Sequence, residues 1–245
     1  MTRLTGKRAL IVGAAGGIGS AIADAFAAEG ASLVLADYEQ EHLALVTQRC
    51  VQLGVPARTA FVDLRDEESV RQLVREVGDV DILVNSAGLL LEAPLVEISS
   101  ADFARIMDVT LRGVFLMCRE VAPAMVARGS GRIINIASQL GITGGARLSH
   151  YAAAKAGVLG FTKSIARELA PYNVLVNAIA PGPIDTAMTA SITAEWKAAK
   201  LRELPLGRFG NPAEVAPSAV LLASDPDGNL FVGQTLGPNS GDVMP

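Results

Sequence analysis

Charge blocks, cysteine pairs and long apolar runs are all missing from this chain. Its basic residues are scattered and its formal net charge is −4, so neither nucleic acid nor an anionic membrane surface is an expected partner. Cys50 and Cys118 stand alone without metal-ligand spacing, which gives no support to a disulfide or a metal centre. Both read as small buried hydrophobes. No stretch approaches the ~20 apolar residues of a membrane-spanning helix. The apolar run after Arg8 is cut by Gly13, too early for a secretory signal, and a reducing, cytoplasmic setting is the expectation. Aromatics, at 4%, are sparse as well.

What is abundant is aliphatic or small. Half of the 245 residues are apolar and 24 are glycine, a composition that suits parallel strands buried on both faces. A chain of this length buries roughly 70–75% of its unfolded surface. Its mean hydropathy is positive, so some apolar surface is expected to be covered by further subunits.

Short aliphatic runs alternate with segments of helical period. Strands are predicted at 8–12, 32–36, 57–62, 81–84, 132–136, 174–179 and 231–236. Helices are predicted at 17–29, 39–53, 66–77, 101–128, 149–170 and 212–223. This alternation implies right-handed crossovers and a doubly wound parallel sheet, a three-layer α/β Rossmann fold. No repeat or linker interrupts it, so 1–245 reads as a single domain carrying a Pro-broken substrate-loop insertion near 183–212.

The first strand runs into Gly13-Ala14-Ala15-Gly16-Gly17-Ile18-Gly19, where a helix opens. A glycine string alone is weak evidence. Between a first strand and a first helix it is a place where backbone can approach a pyrophosphate at a helix N-terminus. Strand two ends in Asp37-Tyr38, 18 residues after Gly19. A carboxylate there would accept ribose hydroxyls and repel a 2′-phosphate, and no Lys or Arg in the loop or at 38–40 offsets that repulsion. NAD rather than NADP is the expected cofactor. Asp63-Leu64 ends the third strand and Asn85-Ser86-Ala87-Gly88 the fourth, at the sheet edge where such folds bind ligands. Each could equally be turn chemistry.

Ser138 follows the fifth strand, and Tyr151-Ala152-Ala153-Ala154-Lys155 comes thirteen residues later. Tyr151 and Lys155, i and i+4 on a helix, share a face. A free tyrosine, with a pKa near ~10, is a poor base at neutral pH. A neighbouring ammonium and a positive nicotinamide would both favour its phenolate. Alone, such a pair is as often an inert surface contact.

With the glycine loop, Asp63, the segment 85–88, Ser138, the segment 151–155 and Pro181-Gly182, the chain resembles the short-chain dehydrogenase/reductase family from Lys7 to near Val243. The resemblance implies that Ser138 polarises a carbonyl, Tyr151 is the acid/base, and Lys155 binds the nicotinamide ribose. It places Ile184 and Thr186 at the carboxamide. It also implies a homo-oligomer, dimer or homotetramer, formed through helices 101–128 and 149–170, where Val114, Met117, Val121, Val158 and Phe161 exceed one buried face. Four features depart from the family pattern. Val12 replaces a Thr, Ser86 an Asn, and Asn239-Ser240-Gly241 an Asp-Gly-Gly. Thr110 stands where the family carries its fourth catalytic residue, an Asn that acts largely through its main-chain carbonyl.

Substrate contacts are expected from 89–94, 139–150 and 183–206, where Met188, Ile192 and the single tryptophan, Trp196, line an apolar pocket or pack a lid. His150 faces a polar substrate group, solvent or a subunit interface. Three functions fit: an NAD-dependent dehydrogenase interconverting a secondary alcohol and a ketone, a 3-oxoacyl-thioester carbonyl reductase, and a non-catalytic NAD(H)-binding sensor.

Overall fold

The computed structural model describes residues 2–190 and 192–244. Seven strands are found: β1 (Arg8–Val12), β2 (Ser32–Asp37), β3 (Ala57–Phe61), β4 (Ile82–Asn85), β5 (Gly131–Ile136), β6 (Val174–Ile179) and β7 (Thr235–Leu236). They form one parallel sheet in the order β3-β2-β1-β4-β5-β6-β7. The helices are α1 (Gly17–Ala28), α2 (Gln40–Gln52), α3 (Glu67–Val77), α4 (Ser100–Met107) and α5 (Gly113–Arg128). They continue with α6 (Leu140–Thr143), α7 (Ser149–Leu169), α8 (Ala187–Ala190), α9 (Ala194–Glu203) and α10 (Pro212–Ala223).

The strand order reverses between β1 and β4, so their carboxyl ends part and open a crevice. Register aligns those ends, with Val12 beside both Ala36 and Asn85, and Asn85 beside Asn135. One face of the sheet packs Ile22, Phe26, Leu43 and Val215 from α1, α2 and α10. The other packs Leu73, Met117 and Val158 from α3, α5 and α7. Each such fully buried side chain contributes about 1.5–3 kcal/mol over leaving it in water. The doubly wound, three-layer expectation therefore holds.

Helix starts differ in how their first main-chain N–H groups are satisfied. Glu39, Asp66 and Asn211 accept main-chain N–H groups at the starts of α2, α3 and α10. Helix α1 has no side-chain cap.

Three expectations are corrected. The helix expected at 101–128 is interrupted by a π-helical turn at Asp108–Arg112, between α4 and α5. The strand expected at 231–236 pairs only at 235–236, because the Asn177 side chain takes the Phe231 carbonyl and the Gln234 amide instead. Val114, Met117, Val121 and Val158 are buried within the chain itself, leaving Phe115 as the exposed ring of α5, edge-on to Phe161.

The segment after β6 holds α8 and α9. Helix α9 is fastened at both ends. Glu92 accepts the Thr193 amide at 3.0 Å and Arg147 Nε at 2.7 Å, while Lys200 pairs with Asp242 at 2.7 Å.

Candidate active site

The turn between β1 and α1 is built by close approaches. Gly13 has φ +82°, and a Cβ there would lie 2.3 Å from the Ala87 nitrogen. At Gly17 it would lie 2.6 Å from Thr186 Cγ2, and at Gly19 2.1 Å from the Gly13 oxygen. Gly16 is different, since its nearest neighbour would be 3.4 Å away and it faces the crevice. The uncapped first N–H groups of α1 and its positive end point at that space.

Asp37 holds the loop from below. Its Oδ2 accepts the Ala15 amide at 2.9 Å and its Oδ1 the Glu39 amide at 3.1 Å. Beside it Tyr38 lies under Arg65, 5.6 Å from ring centroid to guanidinium carbon. Arg65 is also gripped by Asp63 at 2.7 Å, and this hydrogen bonding holds the Asp63 carboxyl below its usual range. Gly13, Asp37, Tyr38, Asp63, Leu64, Ala87 and Gly88 line a groove of about 550 Å³.

A second cleft of about 280 Å³ continues from it across Gly16 and Gly88. Gly17, Ile18, Gly19, Ser138, Tyr151, Lys155, Pro181, Gly182, Ile184 and Thr186 line it. Asn85 lines neither; it is buried in the sheet, where its Nδ2 donates to Asn135 Oδ1 at 2.9 Å.

Ser138, Tyr151 and Lys155 come together at the head of β5 and the start of α7. The Ser138 hydroxyl accepts the Leu140 amide at 3.1 Å. Gly141 lets α6 pack directly on α7, because a Cβ there would sit 2.7 Å from the Lys155 main chain. Lys155 Nζ lies 5.7 Å from the Tyr151 ring centroid and donates to the Ile136 carbonyl at 2.6 Å. Burial pushes the Tyr151 phenol up to about 12, opposed by its hydrogen bonding with Ser138. Burial pushes Lys155 down to about 8. The lowered tyrosine expected from the lysine charge is thus not supplied by the protein alone.

Thr110 is fully buried in the π turn, and its Oγ1 accepts the Leu89 amide at 3.2 Å. A Cβ on Gly88 would meet Lys155 Nζ at 3.5 Å and Thr110 Oγ1 at 3.8 Å, so the three crowd one corner of the cleft.

A family described as short chain dehydrogenase matches residues 7–197. The chain belongs to the short-chain dehydrogenases. As such it is an oxidoreductase acting on CH–OH or carbonyl groups and takes a nucleotide cofactor. The dehydrogenase is 39% identical to a 3-oxoacyl-(acyl-carrier-protein) reductase from Thermotoga maritima, covering 99% of this chain and 100% of that one. It is 40% identical to the enzyme of that name from a Synechocystis species, over the full length of both. A solved structure from Beutenbergia cavernae, provisionally assigned as an NAD(P)-dependent gluconate 5-dehydrogenase and holding NADP at low occupancy, superposes with a TM-score of 0.93. That protein is 35% identical, with 98% of each chain covered.

The grooved shape fits a dinucleotide on this structure's own terms, with a cradle a Cβ would fill, an uncapped helix end and a carboxylate at the far end. Sequence reading missed Arg65, which only the fold brings over Tyr38; Gln139, Leu140 and Leu148, within the segment 139–150 expected at the substrate, join Trp196 in the cleft wall. His150 is buried beside Ser99 and Phe103, outside the cleft. Among the described residues no helix is long and apolar enough to cross a membrane.

Proposed function

We propose that this dehydrogenase uses NAD to interconvert a secondary alcohol and a ketone, as one dinucleotide-binding and catalytic domain, 1–245, with the loop 183–212 serving the substrate. The observation that carries the reading is the meeting of Ser138, Tyr151 and Lys155 in a cleft continuous with the Asp37 groove. Gly13, Gly16, Gly17, Ile18 and Gly19 would hold the pyrophosphate, Asp37 and Tyr38 the adenosine ribose, and Asp63 and Leu64 the adenine. Asn85 would support the strand end from which Ala87 and Gly88 approach the second ribose. Pro181, Gly182, Ile184 and Thr186 would flank the nicotinamide.

When bound, the nicotinamide supplies the hydride donor or acceptor and, oxidised, a positive charge. The remaining work falls to the chain. Ser138 donates to the substrate oxygen, and Tyr151 gives or takes the proton at that same oxygen. The Lys155 ammonium favours the phenolate. Thr110, by its hydroxyl and the opened turn around it, positions the Lys155 corner.

Asp37 supports NAD. Each of its oxygens accepts one main-chain bond and retains a lone pair for a ribose hydroxyl. Its charge opposes a 2′-phosphate, Gly16 brings no cation, and Arg65 is engaged by Asp63. A second reading, reduction of a 3-oxoacyl thioester, is favoured by the Thermotoga and Synechocystis relatives. The intact Ser138, Tyr151 and Lys155 speak against a purely sensing role.

The test is a panel of secondary alcohols at alkaline pH, with NAD and NADP in parallel, following reduced-cofactor absorbance. Turnover with kcat/KM higher for NAD is expected. A preference for NADP overturns the cofactor assignment, and no turnover with either overturns the enzyme reading.

A further inference from the structure

The starts of α4 and α7 border a recess of about 390 Å³ that lies apart from the groove and cleft described above. Leu95, Ile98 and Phe103 form its apolar wall, and Ser99 and His150 stand between them. His150 is only 1% exposed, and neither of its ring nitrogens has a hydrogen-bond partner among the described residues. A buried polar atom left unpaired is costly, and a bond to a ligand relieves that cost.

The charges around the recess set the sign of such a ligand. Burial holds the imidazole below its usual value, against the pull of the neighbouring Asp102 carboxylate, so His150 is neutral at pH 7. A neutral imidazole keeps one bare ring nitrogen, which is an acceptor. Asp102 accepts the Ser99 hydroxyl at 2.7 Å through Oδ2, which places its carboxylate at the rim. Among the described residues it has no basic partner. Arg105, on the same helix, lines the Asp37 groove instead, and Arg147, just before α7, is engaged by Glu92. An anion here would meet the Asp102 charge and find no free cation, which is unfavourable. A cation would meet a carboxylate, a bare ring nitrogen and the Phe103 ring, 46% exposed.

We propose that this recess is a second binding site, for a small organic ammonium: a protonated primary amine on an aromatic or short aliphatic body. Its N–H groups bond to His150 and to the Asp102 carboxylate, the latter a charge-assisted bond stronger than a neutral one. Its apolar body packs on Leu95, Ile98 and Phe103, and the Phe103 ring adds cation–π attraction. The site stands outside the alcohol–ketone chemistry and needs no nucleotide.

The chain holds two histidines, His42 in the Asp37 groove and His150, so NMR of histidine-labelled protein reports each. The full chain is titrated at neutral pH with 2-phenylethylamine, 2-phenylethanol and 3-phenylpropionate, and His42→Gln assigns the two signals. The amine is expected to shift the His150 signal saturably and to bind about tenfold or more tighter than the alcohol. The acid should produce no shift. Asp102→Asn should weaken the amine by about tenfold and leave the alcohol unchanged. The amine should raise the Tm of the parent, and His150→Phe should abolish that rise. Because Asp102→Asn keeps an acceptor for Ser99, it guards against misfolding in the phenylalanine variant. A His150 signal that ignores the amine, equal binding of amine and alcohol, or an Asp102→Asn variant that binds as the parent does overturns the proposal. So does a His150 signal that moves on dilution while the mass by light scattering falls, which would put a second copy of the chain in the recess. No turnover is read, so each of these outcomes leaves the alcohol–ketone reading standing.

Discussion

The Leu89 amide donates to the Thr110 hydroxyl at 3.2 Å, tying the loop after β4 to the π-helical turn that splits α4 from α5. A π turn opens main-chain carbonyls that an α-helix would close, and such turns recur at functional sites. A main-chain carbonyl is available whichever side chain stands there. Thr110→Asn is therefore expected to match the parent in kcat/KM within a few-fold, and Thr110→Ala to fall by about tenfold or less from loss of one hydrogen bond. Steady-state kinetics at fixed pH decides. A silent parent rescued by Asn would instead restore the sensing reading.

Tyr151→Phe removes one hydroxyl and keeps the ring. Turnover should drop by about 10²–10⁴, the usual contribution of an acid/base group. NADH affinity, measured by fluorescence, should change little. Activity within tenfold of the parent would refute the assignment.

Asp37→Ala removes both the charge proposed to face the ribose and the anchor of the Ala15 amide. The NAD-to-NADP ratio of kcat/KM is expected to fall by about tenfold or more, since opposed charge across a site is worth several kcal/mol. NAD should weaken in absolute terms as the loop loosens.

Lys155 trades stability for chemistry. Burial lowers its pKa from 10.5 to about 8, so the fold carries the cost of a buried ammonium below pH 8 and sheds it as pH rises towards 10.5. The shift corresponds to about 3 kcal/mol, part of which is offset by the bond to Ile136. Lys155→Met should abolish turnover yet raise Tm at pH 7 by about a few degrees. The Tm gap should narrow in alkali, as calorimetry across pH would show.

Glu92→Ala should loosen the α9 segment. The Thr193 amide, against an opposing desolvation, and Arg147 hold the Glu92 carboxyl below its usual range. Its contribution is then complete above the ordinary carboxylate pKa and lost as pH falls through the lowered one. Limited proteolysis between 183 and 206 should run faster in the variant at neutral pH, and the difference should vanish in acid.

Sheet, layers and the two glycine- and tyrosine-bearing turns were legible because each rests on local pattern: aliphatic runs, glycines at one bend, an i,i+4 pair. The π turn was not, because α and π turns share the same side-chain demands and the cause lies in a loop twenty residues away. The fastening of α9 depends on Glu92, 101 residues before Thr193, and on Asp242, well past Lys200 in the chain, and no spacing rule reports it. Arg65 was overlooked for the same reason, since its distance from Tyr38 in sequence hides their stacking.

The two acids that fasten α9 are nearly out of water, with side chains 8% exposed at Glu92 and 7% at Asp242. By contrast Glu67, with Arg71, Arg112 and Arg119 around it, is 31% exposed. Dissolved ions screen exposed charges beyond about 8 Å at physiological strength and reach buried pairs far less. Salt should therefore weaken the outer helices before it alters the roof of the cleft, and the concentration at which the enzyme loses catalysis should track unfolding rather than precede it.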